Sequence, residues 1–454
     1  MSTPTAPGNG FSGGLAFILA ASGSAVGLGN IWKFPYIVGE YGGGAFVLFY
    51  LLCVLLLGAP VMMAEIFIGK RGQGGPVNSF ANLGSRSAAR LRWVGYAFIV
   101  FNFLALAVYA VVGGWTLYYV AIAFTGEMAT MDHASATATF DGLMNSPAAL
   151  IICQLVFMGA TTFVVARGVS SGIERFSNVI MPAFLILLFS LTIYALLATD
   201  TGWQSIEFMF RPDVSKLTPI AMAEALGHAF TSLSIGLGAM LIYGQYMPAP
   251  PHGAPTTRVV SAVVAIDTIV ALCAGLMIFA IIFNMGGEAA SGPGLLFVSL
   301  PVALGELFGG QVVAVFWFGA VFFAALASGV ALMEVGVSHF VSRGYNRVRV
   351  SLASATVITL VGFSVVWSLG DGSDWELLAG MNIFEALEFI TNDLGGPLGG
   401  FAILMVVGWM VRRVDYRAHL PELSELAFNV IHFITRYIAP LLVLAVLAFF
   451  VVVG

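Results

Sequence analysis

The sequence predicts an all-α membrane protein with eleven transmembrane helices, and three observations support this prediction. First, 59% of the 454 residues are hydrophobic and only 9% are charged, with a mean hydropathy of +0.97. A soluble domain carries about 25% charged residues. Second, the chain contains eleven apolar stretches close to the length of about 20 residues that a bilayer core requires. Third, the basic residues fall on alternate loops between these stretches.

The eleven predicted spans follow one another along the whole chain. They cover residues 13–38, 44–69, 93–124, 148–165, 178–197, 220–246, 259–283, 312–340, 352–369, 384–411 and 437–453. Lys and Arg cluster in the loops after spans two, four, six, eight and ten, and only Arg211 and Lys216 break the pattern. Because basic loops stay in the cytoplasm, the pattern predicts a multi-pass protein of the inner (cytoplasmic) membrane with a cytoplasmic N-terminus. The absence of basic residues before Lys33 argues against a cleaved signal peptide.

Charge and cysteine content exclude several partners. The individual charges are distributed between the two sides of the membrane, so the net charge of −5 says little about partners. A nucleic-acid partner is not expected. Cys53, Cys153 and Cys273 lie inside apolar spans, without the spacing of a metal site or a disulfide pair, and are interpreted as packing residues. No soluble regulatory domain and no obligate protein partner are evident.

Two of the predicted spans contain residues that weaken helices. Span one includes the run "ASGSAVGLGNIWKFP" at residues 21–35, and span six includes "HAFTSLSIGLGAM" at residues 228–240. Non-helical backbone survives in a bilayer only where protein or a polar cavity satisfies it. The two runs therefore predict broken helices that enclose a binding site near the midplane.

Each broken span opens a group of five spans, which predicts two inverted five-helix repeats. Residues 13–198 form the first repeat and residues 219–411 form the second. Residues 1–12 are then a cytoplasmic tail, and residues 426–454 hold an extra C-terminal helix. The alternative reading of the glycines is close helix packing, since Gly23 and Gly27 have Gly-x-x-x-Gly spacing. Asn30, Lys33 and Pro35 favour the cavity, because packing alone does not need an intramembrane Lys.

The motifs of the broken spans resemble those of one transporter family. "GSAVGLGNIWKFPY", the following "YGGGAF" and "FTSLSIGLGA" resemble the neurotransmitter:sodium symporter family, in its bacterial amino-acid transporter form with eleven spans. The resemblance covers nearly the whole chain. It implies a sodium-coupled symporter that imports an amino acid by alternating access and is not an enzyme.

The resemblance implies one or two Na⁺ sites, which suit a hard cation that prefers oxygen ligands. The first site would use the Ala25 carbonyl, Asn30, Ser232 and Asp267, together with the substrate carboxylate. Asp267 could instead be a structural partner, although unpaired burial would be costly. Ala271 stands where chloride-dependent members carry Ser, so the acid at 267 implies chloride independence. The second site would use Gly23, Val26, Ala324, Ala327 and Ser328, where Ala327 replaces an expected hydroxyl.

The implied substrate is a neutral L-amino acid. Exposed N–H groups and a half-helix N-terminus favour a carboxylate, and Gly27 occupies the position of an Asp in monoamine-carrying members. Tyr109 would donate its hydroxyl to the carboxylate, unless it is an interfacial anchor or packing residue. Thr231 replaces a usual Phe, which implies a bulky hydrophobic or aromatic side chain. The implied binding residues are Ala25, Gly27, Leu28, Gly29, Ala105, Tyr109, Phe230, Thr231, Ser232, Ser234, Leu237, Ser328 and Leu332.

The resemblance also implies moving parts. Lys33 and Glu388 would form the outer gate, while the inner gate lacks both its basic residue near Gly8 and its acid at Ser342. Phe11 is expected to pack at the cytoplasmic face instead. Gly172 and Pro182 would frame a segment that unwinds, or they mark an ordinary helix start and kink. Glu65 is expected to brace the broken helices through backbone N–H groups.

Three alternatives remain at the level of sequence. A receptor or sensor on the same fold could bind the amino acid without moving it, and the missing inner gate and the Ala327 methyl are compatible with that. An ion channel is disfavoured because the two breaks suggest a closed site. An intramembrane enzyme is disfavoured because His228 is the only histidine near the site.

Overall fold

The computed structural model describes residues 10–83, 88–248, 252–287 and 294–453. Within these residues the chain is helical and contains no β-strand, apart from an isolated bridge between Leu378 and Met381. Most of the predicted N-terminal tail, including Gly8, lies outside the described residues.

Thirteen helical segments carry the architecture in the described part of the chain. In chain order they are α1 (Gly14–Ala25), α2 (Gly29–Glu40), α3 (Gly44–Gly72), α4 (Arg90–Thr125), α5 (Pro147–Ala166), α6 (Val169–Ala198), α7 (Pro219–Ser232), α8 (Ala239–Gln245), α9 (Thr256–Asn284), α10 (Gly310–Ser342), α11 (Arg347–Leu369), α12 (Ile383–Met410) and α13 (Glu425–Phe449). Short helices on the loops include Gly75–Ala81, His133–Met144, Gly202–Phe210, Leu295–Glu306 and Arg413–His419.

The first predicted span is broken, as the sequence predicts. Its halves α1 and α2 meet at an angle of 54° across three residues. Val26 adopts extended backbone angles there, with φ −70° and ψ 108°. The break exposes the peptide groups of residues 26–28, which need partners from elsewhere in the protein.

The sixth predicted span is broken as well, between α7 and α8. Ser234, Gly236 and Gly238 have φ values of 49°, 86° and 89°, which an α-helix cannot contain. A side chain on Gly236 would also collide with the carbonyl oxygen of Gly396. The backbone conformation of this break and its close contact with Gly396 therefore require a glycine at position 236.

The structure accounts for ten of the eleven predicted membrane spans by helix length and composition. Nine continuous helices of the described chain are long and apolar enough to cross a membrane, and the bent pair α1 and α2 makes ten. The pair α7 and α8 has 14 and 7 residues and corresponds to the remaining predicted span. The total of eleven and the inverted repeat stay predictions.

The broken segments lie at the centre of the helical packing. Helix α1 contacts α6, α9 and α10, and α10 packs along the length of α4. Several helices extend past the predicted apolar stretches, with α13 beginning at Glu425 and α6 at Val169. Hydropathy marks only the lipid-facing part of a helix, so it does not report turns that continue into the aqueous boundary.

We expect Gly236→Ala to destabilise the protein more than a comparable change elsewhere. A left-handed backbone costs a residue with a side chain on the order of 1 kcal/mol, and the contact with Gly396 adds to that cost. Gly344→Ala is the matched control, because Gly344 has φ 91° and an added Cβ meets nothing within 4 Å. The measurement is the thermal midpoint of the purified protein in detergent. Equal shifts for the two variants would contradict the assigned role of Gly236.

Candidate functional site

A cavity of about 410 Å³ lies between the two breaks. Its wall comes from both broken spans and from α4, α10 and α12. Twelve of the thirteen residues predicted to bind substrate line it: Ala25, Gly27, Leu28, Gly29, Ala105, Tyr109, Phe230, Thr231, Ser234, Leu237, Ser328 and Leu332. Ser232, the thirteenth, is not part of the wall. The two breaks therefore enclose one space, as the sequence predicts.

Ser232 belongs to a fully buried polar cluster with Asn30 and Asp267. The Asn30 amide nitrogen donates to Asp267 Oδ1 at 2.8 Å and to Ser232 Oγ at 3.0 Å. The Ser232 hydroxyl donates to Asp267 Oδ2 at 2.7 Å. All three side chains are fully buried. Three of the four predicted ligands of the first ion thus meet, on spans that are up to 237 residues apart.

Tyr50 joins this cluster, and sequence reasoning missed it. Its hydroxyl lies 3.0 Å from Ser232 Oγ and 3.5 Å from Asp267 Oδ2. A tyrosine in the apolar stretch of span two gives no signal of its own, although burial of a hydroxyl requires a partner. Tyr50 also packs beside the ring of His228, whose two ring nitrogens are buried without a hydrogen-bond partner.

The cluster has the chemistry of a site for a hard cation. It holds one carboxylate and two hydroxyl groups, and burial makes an uncompensated carboxylate costly. The Asn30 amide oxygen accepts from the Gly27 N–H at 3.3 Å, while its nitrogen faces Asp267. A small monovalent cation would find oxygen ligands of the kind that hard cations prefer.

The residues predicted for the second ion site also lie close together. The Ser328 hydroxyl donates to the carbonyl oxygens of Ser24 at 3.1 Å and Val26 at 3.3 Å. A Cβ built on Gly23 would lie 3.5 Å from the Ala327 methyl, so these two residues adjoin without a hydroxyl between them. Ala324 is buried on α10, one turn before Ser328.

The Ser24 carbonyl is a polar group that the sequence could not reveal. It accepts a second hydrogen bond from the Ser234 hydroxyl of the other broken span, at 2.7 Å. Every residue has a carbonyl, so no residue type marks this one. It ties the two breaks together directly.

Gly27 lines the cavity at a position where there is no room for a side chain. A Cβ on Gly27 would sit 2.5 Å from Ser328 Oγ and 2.8 Å from the Tyr109 hydroxyl. The Tyr109 oxygen accepts from the Leu28 N–H at 3.2 Å, which leaves its own proton for another acceptor. The hydroxyl proton of Tyr109, beside Gly27, is therefore suited to an anionic group.

The end of the cavity at the predicted outer gate is lined by charged side chains. Lys33 and Glu388 both line it, with Glu224 and Tyr41. Among the described residues no carboxylate oxygen comes within 4.0 Å of the Lys33 amine, so the predicted pair with Glu388 is not formed in this conformation. Lys33 faces Glu224 and Asp393 in addition to Glu388, and neither of these two acids was predicted.

The opposite end is closed by a buried ion pair that sequence reasoning missed. Glu334 on α10 is fully buried, and Arg347 contacts both of its carboxylate oxygens, at 2.7 and 2.8 Å. The Tyr246 hydroxyl donates to the same carboxylate at 2.6 Å, and Arg347 also donates to the Val165 carbonyl at 3.0 Å. An acid inside an apolar stretch was the available signal, but its partner could not be read from spacing.

Phe11 packs against the same end, as expected. Its N–H donates to the Tyr246 carbonyl at 3.1 Å, and its ring meets those of Phe17 and Tyr243 edge to face. The neighbouring Ser12 hydrogen-bonds to Glu174 at the start of α6. The Ser342 hydroxyl, at the vacant acidic position, donates to the Gly74 carbonyl at 2.8 Å.

The segment between Gly172 and Pro182 connects the closed end to the second ion site. Gly172 lies in a π-helical turn, Val169–Glu174, and a Cβ on it would collide with the Val164 carbonyl. Met181, next to Pro182, lies against Gly23. Glu65 accepts from the Gly236 N–H at 2.6 Å, which confirms that it braces the sixth-span break.

We expect Arg347→Ala to destabilise the closed end strongly. The change leaves Glu334 buried without its cation, which costs about 3 kcal/mol or more. The double variant Glu334→Leu/Arg347→Met removes both charges and should recover most of the loss, because neither ion is then stranded. Thermal midpoints in detergent report both effects. Additive losses in the double variant would show that the two residues do not act as a pair.

The sequence matches known transporters over nearly its whole length. The sodium:neurotransmitter symporter family model matches residues 9–146 and 130–453. An uncharacterized sodium-dependent transporter of Bacillus subtilis (strain 168), YhdH, is 34% identical over 438 residues, which is 95% of each chain. A second uncharacterized sodium-dependent transporter, from Haemophilus influenzae, is 28% identical over 96% of each chain.

A solved structure agrees with these relatives. The crystal structure of MhsT in complex with L-phenylalanine matches with a TM-score of 0.89 and 35% identity, over 97% of this chain and 99% of that chain. The family model covers nearly all of the sequence, and the fold matches over nearly its full length. The chain is a multi-pass membrane transporter and belongs to the sodium:neurotransmitter symporter family.

Proposed function

We propose that the protein is a Na⁺-coupled symporter that imports a neutral, bulky hydrophobic or aromatic L-amino acid by alternating access, without chloride. One observation carries this proposal. Residues 27–30 connect the cavity to the polar cluster. Gly27 lines the cavity, and its N–H donates to the side-chain oxygen of Asn30 in the cluster, 3.3 Å away. A cation held at Asn30 and a carboxylate held beside Gly27 would therefore stabilise each other.

The cavity supports an amino acid with a large apolar side chain. The Leu28 backbone and the Tyr109 hydroxyl lie at the end where a carboxylate would bind. Much of the remaining wall is aromatic or aliphatic and includes Phe230, Val108 and Leu332, while Lys33, Glu224 and Glu388 line the end at the predicted outer gate. Burying each methylene of a ligand there contributes about 0.8 kcal/mol. L-Phenylalanine, the ligand of the MhsT structure, belongs to this class of amino acid.

Asp267 supports chloride-independent coupling. It places a carboxylate in the cluster, and Ala271, one turn later on α9, is buried and has no group that could hold an anion. We assign the first Na⁺ to Ala25, Asn30, Ser232 and Asp267. We assign a second Na⁺ to Gly23, Val26, Ala324 and Ser328. The methyl of Ala327 stands in place of a further ligand at this site. The proposed number of ions per cycle is therefore one or two.

Opposite states of the two cavity ends support the proposed cycle. Lys33 and Glu388 line one end of the cavity without forming an ion pair, whereas Phe11 and Glu334 are buried and engaged at the other end, which we assign to the cytoplasmic side. Binding of ions and amino acid would bring Lys33 towards Glu388. Unwinding between Gly172 and Pro182 would then admit water to Gly23 from the cytoplasm. The membrane potential supplies about 2.3 kcal/mol per charge per 100 mV.

A sensor on the same fold is the second candidate. The observation that favours it is that the Ala327 methyl lies beside Gly23, where the family resemblance implies a hydroxyl ligand of the second ion. An amino acid bound with a single ion could then act as a signal without being moved. Transport and sensing differ in whether the ligand accumulates.

Uptake into proteoliposomes distinguishes the two candidates. We expect labelled L-phenylalanine to accumulate above its outside concentration only with an inward Na⁺ gradient, and K⁺ should not replace Na⁺. Exchanging chloride for gluconate should leave the rate unchanged. Sodium-dependent binding without accumulation would overturn the transport proposal in favour of the sensor. Accumulation that is indifferent to Na⁺ would overturn the assignment of the ion site.

We expect Asp267→Asn to lower the apparent affinity for Na⁺ by a factor of about 10 to 100. The change removes the only carboxylate of the cluster, and hydrogen bonds and contacts to charged groups contribute about 1.5–3 kcal/mol each. Tyr50→Phe is the matched control, since it removes a neutral hydrogen bond worth about 1 kcal/mol and should cost about fivefold. Sodium titrations of ligand binding measure both changes. An equal effect of the two variants would contradict a role for the Asp267 charge.

Asp267→Asn/Ala271→Ser tests the link to chloride. If the fixed charge replaces an anion, the double variant should regain part of its Na⁺ affinity in chloride but not in gluconate. The same affinity in both salts would show that Asp267 does not take the place of chloride.

A further inference from the structure

A groove between α5 and α11 lies on the membrane-facing surface, away from the transport site. It has a volume of about 590 Å³ and is lined by Leu155, Gly159 and Phe163 from α5 and by Leu352, Leu360 and Phe363 from α11. Of the three threonines of the groove, Thr162 and Thr356 donate their hydroxyls to backbone carbonyls of their own helices, at 2.6 and 3.0 Å, and Thr359 is buried. The surface that the groove offers is therefore mainly apolar.

The groove has the depth of one membrane leaflet. On α5 it runs from Leu155 to Ala166, the last residue of that helix. Eleven residue steps at 1.5 Å each give about 16 Å, close to half of a hydrocarbon core of about 30 Å. Val348, the second residue of α11, lines the same end. An extended hydrocarbon chain that enters at the helix ends would reach the middle of the bilayer.

The open end of the groove carries two exposed arginines. The Arg167 guanidinium lies over the ring of Phe163, 3.9 Å from its centroid, which fixes it beside the groove. Arg349 is exposed and precedes Leu352 by three residues, so it lies on the same side of α11. Neither forms an ion pair with a carboxylate of the described chain. Arg347, by contrast, is engaged with Glu334 and the Val165 carbonyl.

We propose that this groove binds an anionic phospholipid, with one acyl chain in the groove and the phosphate between Arg167 and Arg349. The charge pattern of the loops predicts that this end faces the cytoplasm, where anionic lipids meet basic residues of the protein surface. A second copy of the chain is a poorer occupant. Two-fold packing of this face would bring the two arginines of each copy towards those of the other.

Native mass spectrometry of the purified full chain in detergent tests the proposal. The probes are phosphatidylglycerol and phosphatidylcholine with identical acyl chains. We expect one phosphatidylglycerol to bind more tightly than phosphatidylcholine. Arg167→Gln and Arg349→Gln should each weaken phosphatidylglycerol binding about fivefold, the factor for one basic residue at a membrane surface. Arg258→Gln, an exposed basic residue outside the groove, is the control and should change nothing.

A second variant tests the acyl-chain part of the site. Gly159→Leu places a side chain in the groove, at an exposed position where an added Cβ meets nothing within 4 Å. It should weaken binding of both lipids, whereas Gly319→Leu, equally unobstructed and outside the groove, should not. Equal binding of the two lipids in every variant would overturn the proposal. A dimer that dissociates in Gly159→Leu would also overturn it, by assigning the groove to a second copy.

Discussion

The structure depends on satisfying polar groups that two broken helices expose inside a membrane. A peptide group without a partner in lipid costs several kcal/mol, and each break contains several of them. The protein meets this cost with buried side chains. Glu65 accepts from the sixth-span break at Gly236, and Asn30 accepts from the first-span break at Gly27. The two breaks also satisfy each other, because the Ser234 hydroxyl of one donates to the Ser24 carbonyl of the other.

The acidic side chains inside the membrane-spanning region have different partners in different parts of the molecule. Asp267 meets neutral donors only, so its cluster is suited to an added cation. Glu334 meets an arginine and a tyrosine, so its charge is already balanced and it closes one end of the cavity. Glu224, Glu388 and Asp393 are only partly buried and lie near Lys33, and none of them is within ion-pair distance of it in the described part of the chain. The same type of side chain thus has different surroundings in three places: neutral donors at Asp267, a cation and a hydroxyl at Glu334, and a lysine beyond ion-pair distance near the predicted outer gate.

Residue types with special backbone properties made much of the fold and the site predictable from the sequence. Glycine runs marked both breaks, and twelve predicted residues line one cavity because they surround those breaks. Tyr50 and the Ser24 carbonyl were not predictable, since a tyrosine in an apolar span and a backbone carbonyl carry no distinctive signal. The pair of Glu334 and Arg347 was missed because contacts between helices do not follow from periodicity. The helix Ala239–Gln245 has 7 residues and is too short to be identified as a membrane span by its length.

The tight space at Gly27 constrains the order in which descendants of this chain could change their ligand. Members that carry monoamines have Asp at this position, but here its first side-chain carbon would fall 2.5 Å from Ser328 Oγ and 2.8 Å from the Tyr109 hydroxyl. A carboxylate introduced at this position would therefore displace the Ser328 and Tyr109 hydroxyls, so a smaller residue at 328 would make that replacement easier.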